Sequence, residues 1–236
     1  MPLQKLKERK ISSWFSIKKA HRAQLEASKH IIRRDTLPKK IRYVAGVDTA
    51  YTKEASIGAA VVVDYDSLSP VESRTAHVKT VFPYIPTLLS FREIPPSVAA
   101  VQKLRWQPEV LLVDGQGIMH PYRLGFASHL GLVLGKPAIG VAKSPLIGEV
   151  GKFNGENWAP ITDRGEVIGA AVITKRGTKP LYVSVGHMVS LERALDVVKH
   201  CTPNHRIPVP TRLAHATASQ EKRKVQNSER AKEREE

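Results

Sequence analysis

Three carboxylates stand in this chain where a carboxylate is costly. Asp48 lies inside the apolar run Gly46-Val47-Asp48-Thr49-Ala50, and Asp114 ends Val110-Leu111-Leu112-Val113, just before Gly115-Gln116-Gly117. An ionised carboxylate in such surroundings needs a partner charge or a metal. Carboxylates at the carboxyl end of a buried strand face the crevice where open α/β sheets bind ligands. Glu93 follows Phe91-Arg92 where a helix is expected to begin. Two neighbouring strands and a helix can bring the three together, and their mutual repulsion then calls for a cation. Oxygen ligands of this kind suit Mg²⁺ or Mn²⁺, which can activate a water and steady a leaving phosphate oxygen. Taken singly, an Asp at a strand end is equally a turn or cap residue.

Other side chains fall around the same strand ends. His120, followed by Pro121, sits in the loop that leaves Asp114, and Lys143 closes the next apolar strand, Ile139-Gly140-Val141-Ala142. A lysine there either neutralises charge on a phosphate or simply ends a strand at the surface. His215 follows Pro210-Thr211-Arg212-Leu213-Ala214 at the opening of a last helix, its role open. His129 reads as a structural histidine on a helix. Tyr84 is held between Pro83 and Ile85-Pro86. It is either a loop ring packed on the core or an aromatic wedge that fills the gap left by an unstacked base. No Ser-His-Asp order, P-loop or complete dinucleotide fingerprint is present.

The elements that must position these residues follow from periodicity. Residues 17–34 lack Pro and Gly, with Ala20, Ala23, Ala27 and Ile31 near helical spacing, and predict a helix packed on the main domain and ended by Leu37-Pro38. Tyr43 to Tyr51, Gly58 to Asp64 and Val71 to Phe82 read as a three-strand meander. Then come a helix from Glu93 to Arg105, a strand Val110 to Asp114, a helix Arg123 to Leu134 and a strand Ala138 to Ala142. Residues 145–165 are expected to be mostly loop. Val167 to Thr174 and Leu181 to Gly186 read as a hairpin, and Ser190 caps a helix ending near His200. Beyond Ala216 the chain is polar, a solvated helix or disordered. A meander followed by crossovers requires an α/β fold: a mixed sheet flanked by helices.

The 236 residues carry a net charge of +15. Residues 1–42 hold thirteen Lys/Arg against three Asp/Glu, a net of +10, opening with Lys5, Lys7, Arg9 and Lys10. Such an arm either contacts phosphates without reading sequence or forms a solvated, solubilising face. No apolar run of about 18 residues exists, and no secretory pattern opens the chain, so no membrane partner is expected. The single cysteine, Cys201, cannot form an internal disulfide, and a reducing, cytoplasmic setting is expected. The division expected is a basic helical arm over 1–42, a domain over 43–215 and a polar tail over 216–236.

At these residues the chain resembles the endonuclease V family of metal-dependent deoxyinosine 3′-endonucleases. The matching stretches are Gly46 to Tyr51, Pro83-Tyr84-Ile85-Pro86 with Leu89 to Glu93, Val113 to Gly117 with His120-Pro121, Leu124 to Gly131, Ile139 to Ser144, and Pro210 to His215. The resemblance implies a ribonuclease-H-like fold. It implies Mg²⁺-dependent hydrolysis, with Mn²⁺ able to substitute, of the second phosphodiester bond 3′ to a deaminated adenine, leaving 3′-hydroxyl and 5′-phosphate ends in a DNA-repair setting. Asp48, Asp114 and Glu93 would hold the metal, Lys143 would meet the scissile phosphate region, and His215 would stand near the site of a further carboxylate in related folds. Tyr84 would be the wedge. Leu89, Gly115, His120, Gly125 and Phe126 would form the lesion pocket, with Arg92 among the nucleic-acid contacts. The partner implied is DNA containing deoxyinosine, or inosine-containing RNA for a ribonuclease of the same fold, and a monomer is expected. A non-catalytic nucleic-acid-binding protein is the alternative of another class. Two departures stand out: Thr87 occupies the place of a usual glycine, and Met188 that of a usual basic residue.

Overall fold

The structure is a computed structural model that describes residues 16–235, with side chains to residue 228; Lys5, Lys7, Arg9 and Lys10 lie outside the described residues. After helix α1 (Ile17–Ser28), the meander is β1 (Tyr43–Tyr51), β2 (Ala55–Asp64) and β3 (Pro70–Lys79), each strand antiparallel to the next. Helix α2 (Leu89–Gln102) leads to β4 (Val110–Asp114), parallel to β1, and α3 (Phe126–Leu134) leads to β5 (Ala138–Ala142), parallel to β4. Then come β6 (Glu149–Val150), β7 (Trp158–Asp163), β8 (Glu166–Val172), β9 (Leu181–His187), α4 (Leu191–His200) and α5 (Val209–Glu235). The strands form one mixed sheet in the order β3-β2-β1-β4-β5-β9-β8-β7-β6. This is the α/β mixed sheet flanked by helices that the sequence predicts. Among the described residues no helix is long and apolar enough to cross a membrane.

Alternation along the strands assigns the two faces. Val44, Leu112 and Ile139 pack with Ala194 and Val198 of α4 and Ala214 of α5. Ala45, Val47, Leu111 and Val113 pack with Ala100 and Val101 of α2 and Leu130 of α3. A strand period of two then places Asp48 with Val44, and Asp114 with Leu112, on the face that carries α5. Two glycines let helix backbones lie against the sheet. A Cβ on Gly46 would meet the Pro210 carbonyl oxygen at 1.9 Å, and one on Gly58 would meet that of Pro96 at 2.1 Å. The helices that bear His215 and Glu93 are therefore docked by main chain on main chain.

Several expectations shift. Helix α1 stops at Ser28 rather than 34, and its buried residues are Ala20 and Gln24, while Ala23 is exposed. The following segment runs on to β1 with Ile41 buried and Ile31 and Leu37 packed against the core. Helix α2 begins at Leu89, four residues before Glu93, with Pro95 and Pro96 inside it. Residues 145–165 are mostly loop, as expected, but not wholly so. They contain β7, paired antiparallel with β8 through Trp158 to Asp163, and a short β6 beside it. Pro160 within β7 conceals the strand, since proline ordinarily argues against one. Helix α5 starts at Val209, so His215 stands well inside it and the 215/216 division falls within one helix.

Candidate active site

Strands β1 and β4 are parallel neighbours, so their carboxyl ends carry Asp48 and Asp114 to the same edge. Helix α5 crosses there and adds His215. One ligand atom from each of Asp48, Asp114 and His215 lies within 4.8 Å of the others, a geometry that can hold a metal ion. The His215 Nδ1 is 2.7 Å from Asp48 Oδ2, and Lys143, leaving the end of β5, donates from Nζ to Asp114 Oδ2 at 2.5 Å. Of the expected set of Asp48, Asp114 and Glu93, the first two fall in this close group, and His215 joins them there. Glu93 reaches the edge from the opposite face, its Oε1 3.4 Å from the Thr49 hydroxyl, which donates to it.

The electrostatics of this cluster explain what it needs. Asp48 is 8% exposed. Burial, and then the facing Asp114 charge, push its carboxyl up to about 6, although His215 and the Thr49 amide pull the other way. Glu93 is as deeply buried, and burial followed by the Asp48 charge pushes it up to about 8. Carboxyls so raised favour their neutral form until positive charge arrives to stabilise the anion. The donors present, two or three carboxylates and one imidazole, fit a divalent cation bound largely by oxygen.

Beside the cluster lies a cleft of about 290 Å³ whose lining includes Asp114 and Glu93. Tyr84, Leu89, Gly115, His120, Gly125 and Phe126 also line it, so six of the seven residues expected to contact nucleic acid share one cavity. Arg92 does not. It turns away, its guanidinium 4.1 Å from the centre of the Tyr51 ring, and lines a small groove with Phe82 and Phe91. The cleft receives two helix starts, α2 at Leu89 and α3 at Phe126, neither capped by a side chain. Of the first-turn amides, that of Ala127 already donates to the Gln116 carbonyl at 2.9 Å and that of Phe91 to the Leu88 carbonyl at 3.1 Å, while the helix dipoles favour acceptor atoms there. Tyr84 stands 60% exposed at the cleft. Leu146, 47% exposed, also lines the cleft.

His120 is a wall rather than an acid or base. The Tyr122 amide donates to its Nδ1 at 3.2 Å, so Nε2 carries the proton and donates to the Thr87 carbonyl at 3.0 Å. Burial pushes its pKa down to about 4, and the ring stays neutral. His129 is structural, as expected, with Nδ1 3.1 Å from the Ser90 hydroxyl and its ring edge-on to Phe91. Thr87 has φ +70°, a left-handed conformation natural to glycine. Sequence reasoning missed Gln24. It is fully buried, and its Nε2 donates to the Thr87 carbonyl at 2.9 Å and to the Leu124 carbonyl at 3.3 Å. A polar residue on the inward stripe of a mostly polar helix was its one sequence signal.

Comparisons with known proteins identify the family. The family model described as Endonuclease V matches residues 25–216. Endonuclease V of Thermofilum pendens is 46% identical over 206 residues, covering 87% of this chain and 88% of its own. The crystal structure of endonuclease V from Streptomyces avermitilis matches with a TM-score of 0.84 and 36% identity, over 89% of this chain and 95% of that one. Endonuclease V of Ciona intestinalis, solved in complex with a 24mer DNA containing an inosine followed by a ribo-adenosine, matches with a TM-score of 0.80 and 36% identity, over 89% and 98%. On sequence and fold together, the chain belongs to the endonuclease V family.

Proposed function

We propose that this endonuclease cuts nucleic acid beside a deaminated adenine, hydrolysing the second phosphodiester bond 3′ to deoxyinosine and leaving 3′-hydroxyl and 5′-phosphate ends, in DNA repair. The observation that carries the reading is the continuity of the two halves of the site. Asp114 lines the base-sized cleft and also belongs to the group where a cation fits, and Glu93 lines the same cleft. A cavity of this volume is at the low end of small-molecule clefts and suits one flipped base.

Asp48 and Asp114, with His215 beside them and Glu93 behind, would hold Mg²⁺, or Mn²⁺ in its place. When bound, such a cation supplies an activated water and charge neutralisation at the leaving oxygen. The chain's own residues do the rest. Lys143 holds Asp114 by an ion pair and, 45% exposed, presents its ammonium to the phosphate beside that carboxylate. His215, accessible and paired with Asp48, orients that carboxylate. The exposed Tyr84 ring fills the stack as the base leaves it. The base edge meets main-chain groups of the two helix starts and the neutral His120 wall. The arm's lysines and arginines hold the backbone phosphates.

A single assay tests this. One labelled oligonucleotide with a single deoxyinosine is incubated with Mg²⁺ or EDTA, beside Asp48→Ala. One cut two bonds 3′ of the lesion, lost with EDTA and in the variant, is expected; binding without cutting would leave a nucleic-acid-binding protein instead. The Ciona relative's ligand, with a ribo-adenosine after its inosine, favours a second reading as an inosine-specific ribonuclease. Ribo-inosine and deoxyinosine strands run in parallel decide between them by relative kcat/KM.

A further inference from the structure

The arm helix makes contacts that the base pocket depends on. Two loops form facing parts of the cleft, Pro83 to Leu88 and His120 to Gly125, and α1 touches both. Gln24, with no exposed surface, uses both amide hydrogens to bridge them, one to the Thr87 carbonyl and one to the Leu124 carbonyl. The reversed amide would set its oxygen against two carbonyl oxygens, so the assignment is forced. His120 also donates to the Thr87 carbonyl, which fills both of that oxygen's lone pairs. One turn earlier, His21 Nε2 lies 2.9 Å from Thr87 Oγ1. The Thr87 hydroxyl spends its proton on the Pro86 carbonyl, so His21 must be the donor and its Nδ1 accepts from the Tyr122 hydroxyl at 2.9 Å. The His21 and Tyr122 rings stack with centroids 4.2 Å apart.

Thr87 is the residue most in need of such support. It is β-branched and held at φ +70°, a conformation that L side chains rarely adopt and that surrounding structure must impose. Every side-chain donor on its carbonyl and hydroxyl oxygens comes from α1 or from His120. Further along, the arm is fastened again. Arg33 pairs with Glu166, which also receives Arg123 Nε at 2.9 Å, and the Met188 amide donates to the Ile32 carbonyl at 2.7 Å. Both Gln24 and His21 lie before residue 25, where the family match begins.

We propose that α1 is a strap across the base pocket, in which Gln24 and His21 are positioning residues that hold Thr87 and thereby set which base the pocket accepts. The specificity half of this rests on the substrate reading above; the strap itself does not.

Gln24→Leu keeps the volume and removes both donors. Without substrate, hydrogen–deuterium exchange in the full chain is expected to quicken about tenfold in segments 83–88 and 120–125. With a deoxyinosine oligonucleotide, KM should rise about tenfold while kcat changes little, since the Asp48–Asp114–His215 group is untouched. The preference over the same oligonucleotide with deoxyadenosine should fall with it. Adding Thr87→Gly should recover most of the loss, because glycine keeps a left-handed φ without being held. Unchanged exchange in Gln24→Leu would overturn the strap. So would a loss of kcat at constant KM, or a loss that Thr87→Gly does not recover. A wild-type chain with no preference for inosine overturns the substrate reading instead, and the exchange result then decides the strap alone.

Discussion

Asp48 concentrates the electrostatic problem of the site, being buried, opposed by Asp114 and relieved only by the His215 imidazole and the Thr49 amide. Removing its charge should therefore act differently from removing a bystander. Asp48→Asn keeps the volume and abolishes one anionic ligand, so turnover is expected to fall by at least a hundredfold, as when a group acting chiefly on the transition state is lost. A second readout needs no turnover. In the wild type, adding Mg²⁺ to EDTA-treated protein should raise the thermal midpoint, because a ligand bound only by the folded chain stabilises it. In Asp48→Asn the midpoint should barely move. An equal shift in both would remove Asp48 from the cation site. Lys143→Ala tests the other side of the cluster. It leaves Asp114 unpaired, and kcat should drop about a hundredfold while binding of an uncut strand changes little. A variant that lost binding and kept kcat would make Lys143 a backbone contact only.

The elements succeed or fail at holding these residues by how closely their backbones meet. Gly46→Ala places a methyl 1.9 Å from the Pro210 carbonyl oxygen, main chain against main chain, with no flexible side chain to yield. The variant should lose about 3 kcal/mol, the upper part of the overpacking range, measured by denaturant unfolding. It should also lose activity beyond what stability explains, since α5 must lift and carry His215 away from Asp48. Much of this framework was legible from sequence. Strands β4 and β5 match their expected limits because each is an apolar run bounded by turn residues, and Asp48 and Asp114 stood out as charges within such runs. What escaped did so for physical reasons. Helix α2 starts four residues before the expected Glu93 and carries Pro95 and Pro96 inside it, although proline ordinarily suits a first turn. Strand β7 was masked by Pro160 and by a partly polar face. His215 could be named as a candidate but not paired with Asp48, because 167 residues separate them and only tertiary structure joins them. Gln24 gave only a weak signal because its role depends on two carbonyls on distant loops.

Across the whole molecule, charge sets both the stability and the approach to substrate. His129 is held neutral, its pKa pushed down by burial to about 4 from the ordinary 6.5. The unfolded chain then binds a proton there that the folded chain refuses, and stability is lost as pH falls from about 6.5 towards 4. Asp48 and Glu93, raised instead, act in the opposite sense over part of that range, so the total curve is not diagnostic. The difference between wild type and His129→Gln isolates the histidine. The variant should gain relative stability through that window, and a difference constant with pH would mean that His129 titrates normally. The arm raises the larger question, because it is both a strap and the most basic segment of the chain. Its helix turns Ala20 and Gln24 inward and leaves Lys18, Lys19 and Arg22 exposed. The same segment that closes the pocket can thus reach the phosphates of the strand entering it. Deleting residues 1–42 would confound these roles, since Ile41 is core and Gln24 is buried. Replacing Lys18, Lys19 and Arg22 by Gln separates them, because none of the three holds a loop. If all three meet phosphates of a single strand, log K against log salt should flatten by about 2, at about 0.7 per contact, with inosine preference intact. A slope unchanged by the three substitutions would assign the charged face to solvation and leave α1 with the pocket alone.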